Sequence, residues 1–233
     1  GSRYLVVSND IKESKDLIGK NLAIGTGAMN TPEWLRWADE LGIPREIDKY
    51  NVVDMAQADA LFALKAGKID GFTCCDPYAS QAEFEGFGHA IATGWGANVS
   101  EDKVEGWGMC CVYAMSKDFN EKCPELARRL IIAHSLATEY LYLHPYNAAM
   151  MFADGFGTAP DVGLRTVYMK TVAEGRTVTW HFTEDNLKNY IKYFNDYEIT
   201  EKEIPNINDY NKFMSTELLA KAELGDFDTF IAE

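Results

Sequence analysis

Residues 21–41, NLAIGTGAMNTPEWLRWADEL, carry the pattern that decides the fold. Residues 21–25, at the start of the stretch, have a pattern that is typical of a buried strand, and a glycine-containing turn follows. Pro32 suits the first turn of a helix, and Thr31 or Asn30 can cap that helix. The stretch therefore predicts a strand, a turn and a helix in direct succession.

The same succession recurs along the next part of the chain. Strand patterns lie at residues 51–55 and 69–75, helical spacing covers residues 57–66, and a further helix starts at residue 80. Strands that alternate with helices of about ten residues predict a parallel, right-handed βαβ layer. An additional strand pattern at residues 4–8 comes before this layer.

The rest of the sequence is mostly helical. One strand is predicted over residues 108–115, and after it only helices are predicted, over residues 124–143, 145–156, 161–174, 183–194 and 207–221. These helices need something to cover, and few strands remain in this half of the chain to supply a sheet.

Composition excludes several classes of protein. The chain has 233 residues, 47% of them hydrophobic and 25% charged, which is typical of a folded globular protein and not of a disordered one. Its formal net charge of -14 makes nucleic acid and anionic membrane surfaces poor partners, because both attract clustered Lys and Arg. No apolar run approaches the ~20 residues of a membrane-spanning helix, so we expect no integral membrane segment.

The five cysteines allow three interpretations. They include two vicinal pairs, Cys74-Cys75 and Cys110-Cys111, and the single Cys123. Neighbouring residues on a strand point to opposite faces, and no metal-binding spacing is present. Buried thiols are the first interpretation, a disulfide between the two pairs is the second, and a metal site is the third.

The strongest candidate ligand site is the turn after the first predicted parallel strand. Ligands of open α/β sheets bind at the carboxyl ends of the strands, and unpaired amides at a helix start favour anions. We expect the turn to contribute Thr26, Gly27, Ala28 and Asn30. The alternative is an ordinary turn that needs glycine for its backbone angles.

Three more polar or aromatic residues end neighbouring strands. Asp76 can accept a hydrogen bond from a ligand, or it can cap the next helix with Pro77 in its first turn. Tyr78 can stack on a planar ligand or pack against the core. Asp54 lies at the same predicted sheet edge, where a simple turn carboxylate is the alternative.

The tryptophans fall into two groups. Trp95 and Trp107 each lie between glycines, a pattern that suits a loop residue lining a cleft or packing at a hinge. Trp34 and Trp37 have helical spacing and are predicted to be core residues.

No catalytic or cofactor motif is found. The four histidines have no Cys, Ser or carboxylate at a catalytic or metal-binding spacing, and nucleophile-elbow, phosphate-loop and zinc-protease motifs do not occur. Gly25-Thr26-Gly27 lacks the third glycine of a dinucleotide turn. We therefore expect no enzyme, no cofactor and no metal.

The order and separation of several short motifs carry a family resemblance. These motifs are Asp16-Leu-Ile-Gly-Lys20, Ala63-Leu-Lys-Ala-Gly-Lys-Ile-Asp-Gly71, Cys75-Asp-Pro-Tyr-Ala79, Met115-Ser-Lys-Asp-Phe119 and His144-Pro-Tyr-Asn-Ala-Ala149. In this respect the chain resembles the nitrate/sulfonate/taurine class of ABC-transporter substrate-binding proteins, which includes bicarbonate and thiamine-precursor binders.

The resemblance implies a periplasmic-binding-protein-like (type II) α/β fold with two lobes and a ligand cleft. Residues 16–108 then form a complete α/β lobe, and residues 1–15 and 109–233 form the hinge strands and the helical remainder of the other lobe. The N-terminal part of this other lobe has no counterpart in this sequence.

The function implied is capture of a small anion, sulfonate, carboxylate or pyrimidine for an ABC permease. The location implied is periplasmic, or extracellular and membrane-associated. Two alternatives stay open: the ligand-sensing domain of a membrane receptor, and a pyrimidine-synthesis-type enzyme of the same fold.

Overall fold

The computed structural model describes residues 3–25, 28–94, 111–174, 176–181, 184–202, 204 and 216–233. Five strands are present in this part of the chain: β1 (Tyr4–Ser8), β2 (Asn21–Ala23), β3 (Asn51–Val53), β4 (Gly71–Cys74) and β5 (Gly88–Thr93). The helices up to residue 143 are α1 (Pro32–Leu41), α2 (Gln57–Lys65), α3 (Tyr78–Phe84), α4 (Lys117–Lys122) and α5 (Pro124–Leu143). The later helices are α6 (Pro145–Phe156), α7 (Pro160–Tyr168), α8 (Glu184–Asp196), α9 (Glu217–Lys221) and α10 (Phe227–Ala232).

The strands form one sheet in the order β3-β2-β4-β1-β5. Strand β2 is parallel to β3 and β4, whereas β1 is antiparallel to β4 and β5. Four of the five strands therefore run in the same direction, which confirms the predicted α/β fold with a mostly parallel sheet. The division of the chain into a complete lobe and a hinge-plus-helix remainder stays a prediction, and β1 lies inside the sheet between β4 and β5.

Both faces of the sheet are covered. On β1, Leu5 and Val7 join a core cluster with Trp34 and Trp37 of α1, while Val6 joins a second cluster on the opposite face. That second cluster also contains side chains from α2, α3 and β4, among them Leu61, Leu64, Ala82 and Phe72. The unbroken apolar run Leu5-Val6-Val7 in β1 is the pattern of a strand that is buried on both faces.

Helix α1 begins and ends as its sequence predicts. The Thr31 hydroxyl accepts a hydrogen bond from Trp34 N, Pro32 occupies the first turn, and Gly42 ends the helix in the left-handed conformation at φ 65°. The indole of Trp37 is buried and donates to the Thr93 carbonyl oxygen at 2.6 Å. The predicted core positions of Trp34 and Trp37 are confirmed.

One strand was missed and one predicted strand was wrong. Strand β5 was not predicted, and its first residue, Gly88, lies so close to β1 that an added Cβ would be 2.8 Å from the Val7 carbonyl oxygen. The strand predicted over residues 108–115 is not formed in residues 111–115, and residues 108–110 lie outside the described structure. Without alternating polar positions, a short apolar run does not distinguish a strand from an extended loop.

The helical region contacts the sheet region through α7, and through α8, which packs on α1. Helices α6 and α7 cross closely, because a Cβ on Gly163 would be only 2.4 Å from the Ala149 carbonyl oxygen. A π-helical turn, Met169–Ala173, continues α7, and Arg165 forms an ion pair with Glu83 of α3.

The helices predicted over residues 124–143, 145–156, 161–174 and 183–194 are confirmed within two residues at either end, the third of them with its last part π-helical. Of the helix predicted over 207–221, residues 207–215 lie outside the described structure and α9 covers residues 217–221, while α10 was not predicted.

Candidate functional site

The carboxyl ends of β2, β3 and β4 lie side by side at one edge of the sheet, because these three strands are parallel neighbours. A Cβ on Gly25, just after β2, would lie 4.0 Å from Asp54 Oδ1, just after β3. The amide of Cys75, just after β4, donates to the Gln57 side-chain oxygen at 2.8 Å. The three strand ends therefore form one continuous polar edge, which is where open α/β sheets bind ligands.

Some of the predicted site residues lie at this edge, and others lie outside the described residues. Asn30 ends the short 3-10 helix Ala28–Asn30 and is exposed, and Asp54 is also exposed. Four of the predicted residues, Thr26, Gly27, Trp95 and Trp107, lie outside the described residues. The structure thus brings Asp54 and Asp76 to the same sheet edge and places the described part of the 25–30 turn beside them.

Asp76 does not cap helix α3. The N-cap of that helix is Pro77, which makes no side-chain capping bond, and the peptide bond between Asp76 and Pro77 is cis. The Asp76 carboxylate instead contacts Lys170 of the π-helical turn, with 3.1 Å between Oδ2 and Nζ. Its other oxygen, Oδ1, is buried and has no hydrogen-bond partner among the described residues. One acceptor at the predicted ligand edge is therefore unsatisfied.

Lys170 is the centre of a buried polar cluster, which we define as Tyr4, Asp76, Lys170 and Glu174. Its ammonium donates to Tyr4 Oη and to Glu174 Oε2, both at 2.6 Å, and the Tyr4 hydroxyl donates to Glu174 Oε1 at 2.7 Å. Tyr4 starts β1 directly opposite Cys74, the last residue of β4. The polar cluster therefore links the carboxyl edge of the sheet to the helical region.

Burial dominates the electrostatics of this cluster. Desolvation raises the pKa of Asp76 above its ordinary value, although the Lys170 ammonium acts in the opposite direction. Desolvation also raises the pKa of the Tyr4 hydroxyl far above its ordinary value, with further contributions from Asp76 and Glu174. Two carboxylates share one ammonium here, so the cluster favours a proton or a hydrogen-bond donor at Asp76.

Tyr78 lies in the first turn of α3 and is half-buried. It packs against the core cluster that contains Phe72 and Ala79. This contact agrees with the packing interpretation of Tyr78, and a contact with ligand stays a prediction.

Sequence reasoning missed Lys170 and Glu174. Their spacing of four residues is ordinary for an exposed helical ion pair, and Glu174 is 170 positions away from its partner Tyr4. The one available signal was Tyr4, a polar aromatic residue directly before the apolar run Leu5-Val6-Val7, since a buried hydroxyl needs a partner.

The cysteines follow the buried-thiol interpretation only in part. Cys74 is buried in the core, and desolvation raises the pKa of its thiol, whereas Cys111 and Cys123 are exposed. Cys110 lies outside the described residues. Among the residues the structure describes, no group of three or more His, Cys, Asp or Glu side chains has the arrangement of a metal site. None of the described helices has the length and apolarity that a membrane crossing needs.

The comparisons with known proteins decide the family. A sequence model of the NMT1-like family matches residues 7–153, more than half of the chain. The chain belongs to the NMT1-like family. Across the curated proteins, no sequence matches it. Membership confirms the family resemblance drawn from the sequence motifs.

Solved structures share the fold of this NMT1-like protein. The periplasmic aliphatic sulphonate binding protein SsuA from Escherichia coli superposes with a TM-score of 0.63 at 17% identity, over 87% of this chain and 63% of that one. SsuA from Xanthomonas axonopodis pv. citri, bound to MOPS, gives a TM-score of 0.64 at 17% identity, over 88% and 68%. The desulfurization enzyme DSZB gives a TM-score of 0.58 at 12% identity, over 95% of this chain and 76% of that one. The NMT1-like chain therefore spans less than two thirds of the length of the E. coli protein.

Proposed function

We propose that this NMT1-like chain is the greater part of an extracytoplasmic solute-binding protein. In this proposal it holds a small polar or anionic ligand at the carboxyl edge of its sheet and delivers it to an ABC permease without chemical change. The protein would act in the periplasm, or outside the cell in association with the membrane. The observation that carries the proposal is the meeting of three parallel strand ends at one polar edge, in a chain of this family and fold.

The edge can offer a ligand both a positively polarised helix end and negatively charged acceptor groups. The start of α1 follows the 25–30 turn, and the positive end of a helix dipole favours a carboxylate, sulfonate or similar group. Asp54 and the unsatisfied Oδ1 of Asp76 can accept from ligand N–H or O–H groups. This combination supports a ligand that has an anionic group together with a hydrogen-bond donor.

The polar cluster can couple ligand binding to a change in conformation. Lys170 and Glu174 belong to the helical region, whereas Tyr4 and Asp76 belong to the sheet. A ligand that donates to Asp76 changes the charge balance around Lys170, and through it the contact between the two regions. Such a differential contact is what allows a ligand to shift an equilibrium between open and closed forms.

An enzyme of the same fold is the second candidate. The observation that favours it is the likeness in fold to the desulfurization enzyme DSZB. A protein that only binds returns its ligand unchanged, whereas an enzyme converts it. Incubation of excess protein with each bound ligand, followed by mass spectrometry of the recovered small molecule, distinguishes the two.

Thermal unfolding against a ligand panel tests the main proposal. The panel comprises nitrate, bicarbonate, alkanesulfonates, carboxylates and aminopyrimidines. A ligand present at a hundred times its Kd adds about 2.7 kcal/mol to the stability, which raises the midpoint of a chain of this size by about 5–10 °C. We expect such a shift with at least one member of the panel. A midpoint that no member changes argues against a solute-binding role for this edge.

A further inference from the structure

Helix α8 leaves the helical region and lies on α1 of the sheet region. Before α8, the Trp180 indole donates to the Gly225 carbonyl oxygen at 3.0 Å, and its ring packs on Phe227 of α10. After α8, helix α9 packs on α5. The chain on both sides of α8 therefore belongs to the helical region, whereas α8 contacts α1. We call α8 (Glu184–Asp196) together with Tyr197 the α8 arm.

The α8 arm meets α1 through three tyrosines at helical spacing: Tyr190, Tyr193 and Tyr197. The Tyr190 hydroxyl donates to Glu33 Oε1 at 3.3 Å. Arg36 Cζ lies 5.4 Å from the centroid of the Tyr193 ring. Because Glu33 lies in the first turn of α1, just after the 25–30 turn, the arm reaches the carboxyl edge of the sheet.

Tyr197 contacts the other end of α1. Its hydroxyl donates to Asp39 Oδ2 at 3.1 Å, and Arg45 Cζ lies 5.2 Å from the centroid of its ring. Asp39 and Arg45 also form an ion pair with each other, and Arg36 pairs with Glu40. Both guanidinium groups therefore keep a carboxylate partner when the tyrosines move away.

Contacts of this kind are individually weak. A cation–π contact at a partly exposed site changes an equilibrium by only about two- to fivefold, and a hydrogen bond changes it by about two- to tenfold. Among the α8 side chains that the structure describes, only Ile191 is buried, at 9% exposure. Little buried apolar surface therefore holds the arm on α1.

The opposite side of the sheet region is attached more firmly. Helices α1 and α3 pack on opposite faces of the sheet. On the α3 side, Lys170 is 12% exposed and belongs to the buried polar cluster, and Arg165 pairs with Glu83. Separating buried charges from one another costs far more than releasing half-buried tyrosines. The helical region is thus held firmly on one side of the sheet and weakly on the other.

We propose that the α8 arm is a latch. It detaches from α1 while the polar cluster keeps its contacts, and in its docked position it closes the carboxyl edge of the sheet beside the 25–30 turn. A ligand at that edge then exchanges only while the arm is detached. The inference rests on the proposed function, because the site that the latch closes is the proposed ligand site.

Hydrogen exchange without ligand tests whether the arm detaches. Tyr193→Ala with Tyr197→Ala removes two cation–π contacts and one hydrogen bond to the α1 side. We expect the amides of residues 184–196 to exchange about thirtyfold faster in this double variant, as measured by mass spectrometry. Alanine is the better helix former, so faster exchange reports lost docking and not lost helix propensity. The amides of β1 and β4 should keep their wild-type rates, because the sheet does not open with the arm.

Tyr146→Ala is the matched control, because Tyr146 is 62% exposed on α6 and belongs to the helical region. It should leave the exchange of α8 unchanged. Unchanged exchange of α8 in the double variant overturns the proposal. An equal acceleration in β1 and α8 also overturns it, since the arm would then form one cooperative unit with the sheet.

Ligand dissociation tests whether the arm closes the site. For a panel ligand that raises the unfolding midpoint of the wild type, stopped-flow tryptophan fluorescence gives the dissociation rate. We expect the double variant to release this ligand about thirtyfold faster, because the detached fraction rises by that factor, and Tyr146→Ala to release it at the wild-type rate. If α8 exchanges faster but the ligand leaves at the wild-type rate, the arm does not close the site and the proposal is wrong. If no panel ligand binds the wild type, the proposed function fails, and the exchange experiment alone decides whether the arm detaches.

Discussion

The ammonium of Lys170 lies 3.1 Å from Asp76 Oδ2 and joins the π-helical turn after α7 to the turn that follows β4. Both side chains are 12% exposed, so the ion pair is largely removed from water. Breaking a buried pair from one side leaves a charge without compensation, which costs far more than the pair itself contributes.

Replacing Lys170 should destabilise the protein strongly. In Lys170→Met, two carboxylates stay buried beside Tyr4 with no cation, and we expect a loss of about 3–5 kcal/mol in the free energy of unfolding by urea. Lys192→Met is the control, because Lys192 forms an exposed helical ion pair with Asp196 and should cost under about 0.5 kcal/mol. Equal losses in the two variants would contradict the role given to the polar cluster.

The pH dependence of stability should show a contribution of definite sign from Asp76. Desolvation raises its pKa in the folded protein above the ordinary value of 3.8, so the folded state favours the protonated form. The stability contributed by this group is therefore fully present below pH 3.8 and is lost as the pH rises through the folded pKa. Relative to Asp76→Asn, the wild type should become progressively less stable over that window.

This second prediction is measured as the difference between the urea unfolding curves of wild type and Asp76→Asn at a series of pH values. The difference cancels the carboxyls whose pKa is lowered, such as Glu125 at about 2, which have the opposite dependence. In Lys170→Met the pKa of Asp76 should rise further, since the ammonium lowers it. A difference that is flat with pH, or that grows in favour of the wild type, would show that burial does not control this carboxyl.

Two glycines in neighbouring helices should respond oppositely to alanine. A Cβ on Gly163 would meet the Ala149 carbonyl oxygen at 2.4 Å, so Gly163→Ala forces α6 and α7 apart and should cost about 1–3 kcal/mol. Gly155 has no atom within 4 Å of an added Cβ, and Gly155→Ala should stabilise α6 by about 0.5–1 kcal/mol. Thermal unfolding of both variants checks the pair. A stabilising Gly163→Ala would exclude the close crossing of these helices.

The turn after β2 can be tested for ligand binding separately from stability. Under the proposed function, Thr26→Ala should weaken binding of the panel ligand about tenfold with little change in unfolding. Thr31→Ala removes the side-chain cap of α1 and should instead cost about 1 kcal/mol of stability. Calorimetric titration and thermal unfolding of both variants separate the two effects. Unchanged affinity in Thr26→Ala would remove this turn from the site.

The extent to which sequence predicted the site differs between its parts. Asp54 and Asp76 were placed at one edge because parallel strands in a βαβ layer end on the same side, and the described structure agrees. Whether Asp76 caps a helix or faces another group could not be decided, since both roles suit a residue before Pro77. The partner that decides it, Lys170, lies in a helix whose own pattern says nothing of what it packs against.

Local physics determined from the sequence alone that residues 21–75 form an α/β layer, because apolar periods, Thr31, Pro32 and the glycines fix strands, helices and their ends over a few residues each. It also determined that Trp34 and Trp37 are core residues. Only the tertiary structure decided that β1 lies between β4 and β5, and that Tyr4, Asp76, Lys170 and Glu174 meet. Those contacts join residues far apart in the chain, and their stability comes from burial and charge pairing, which have no local signature in the sequence.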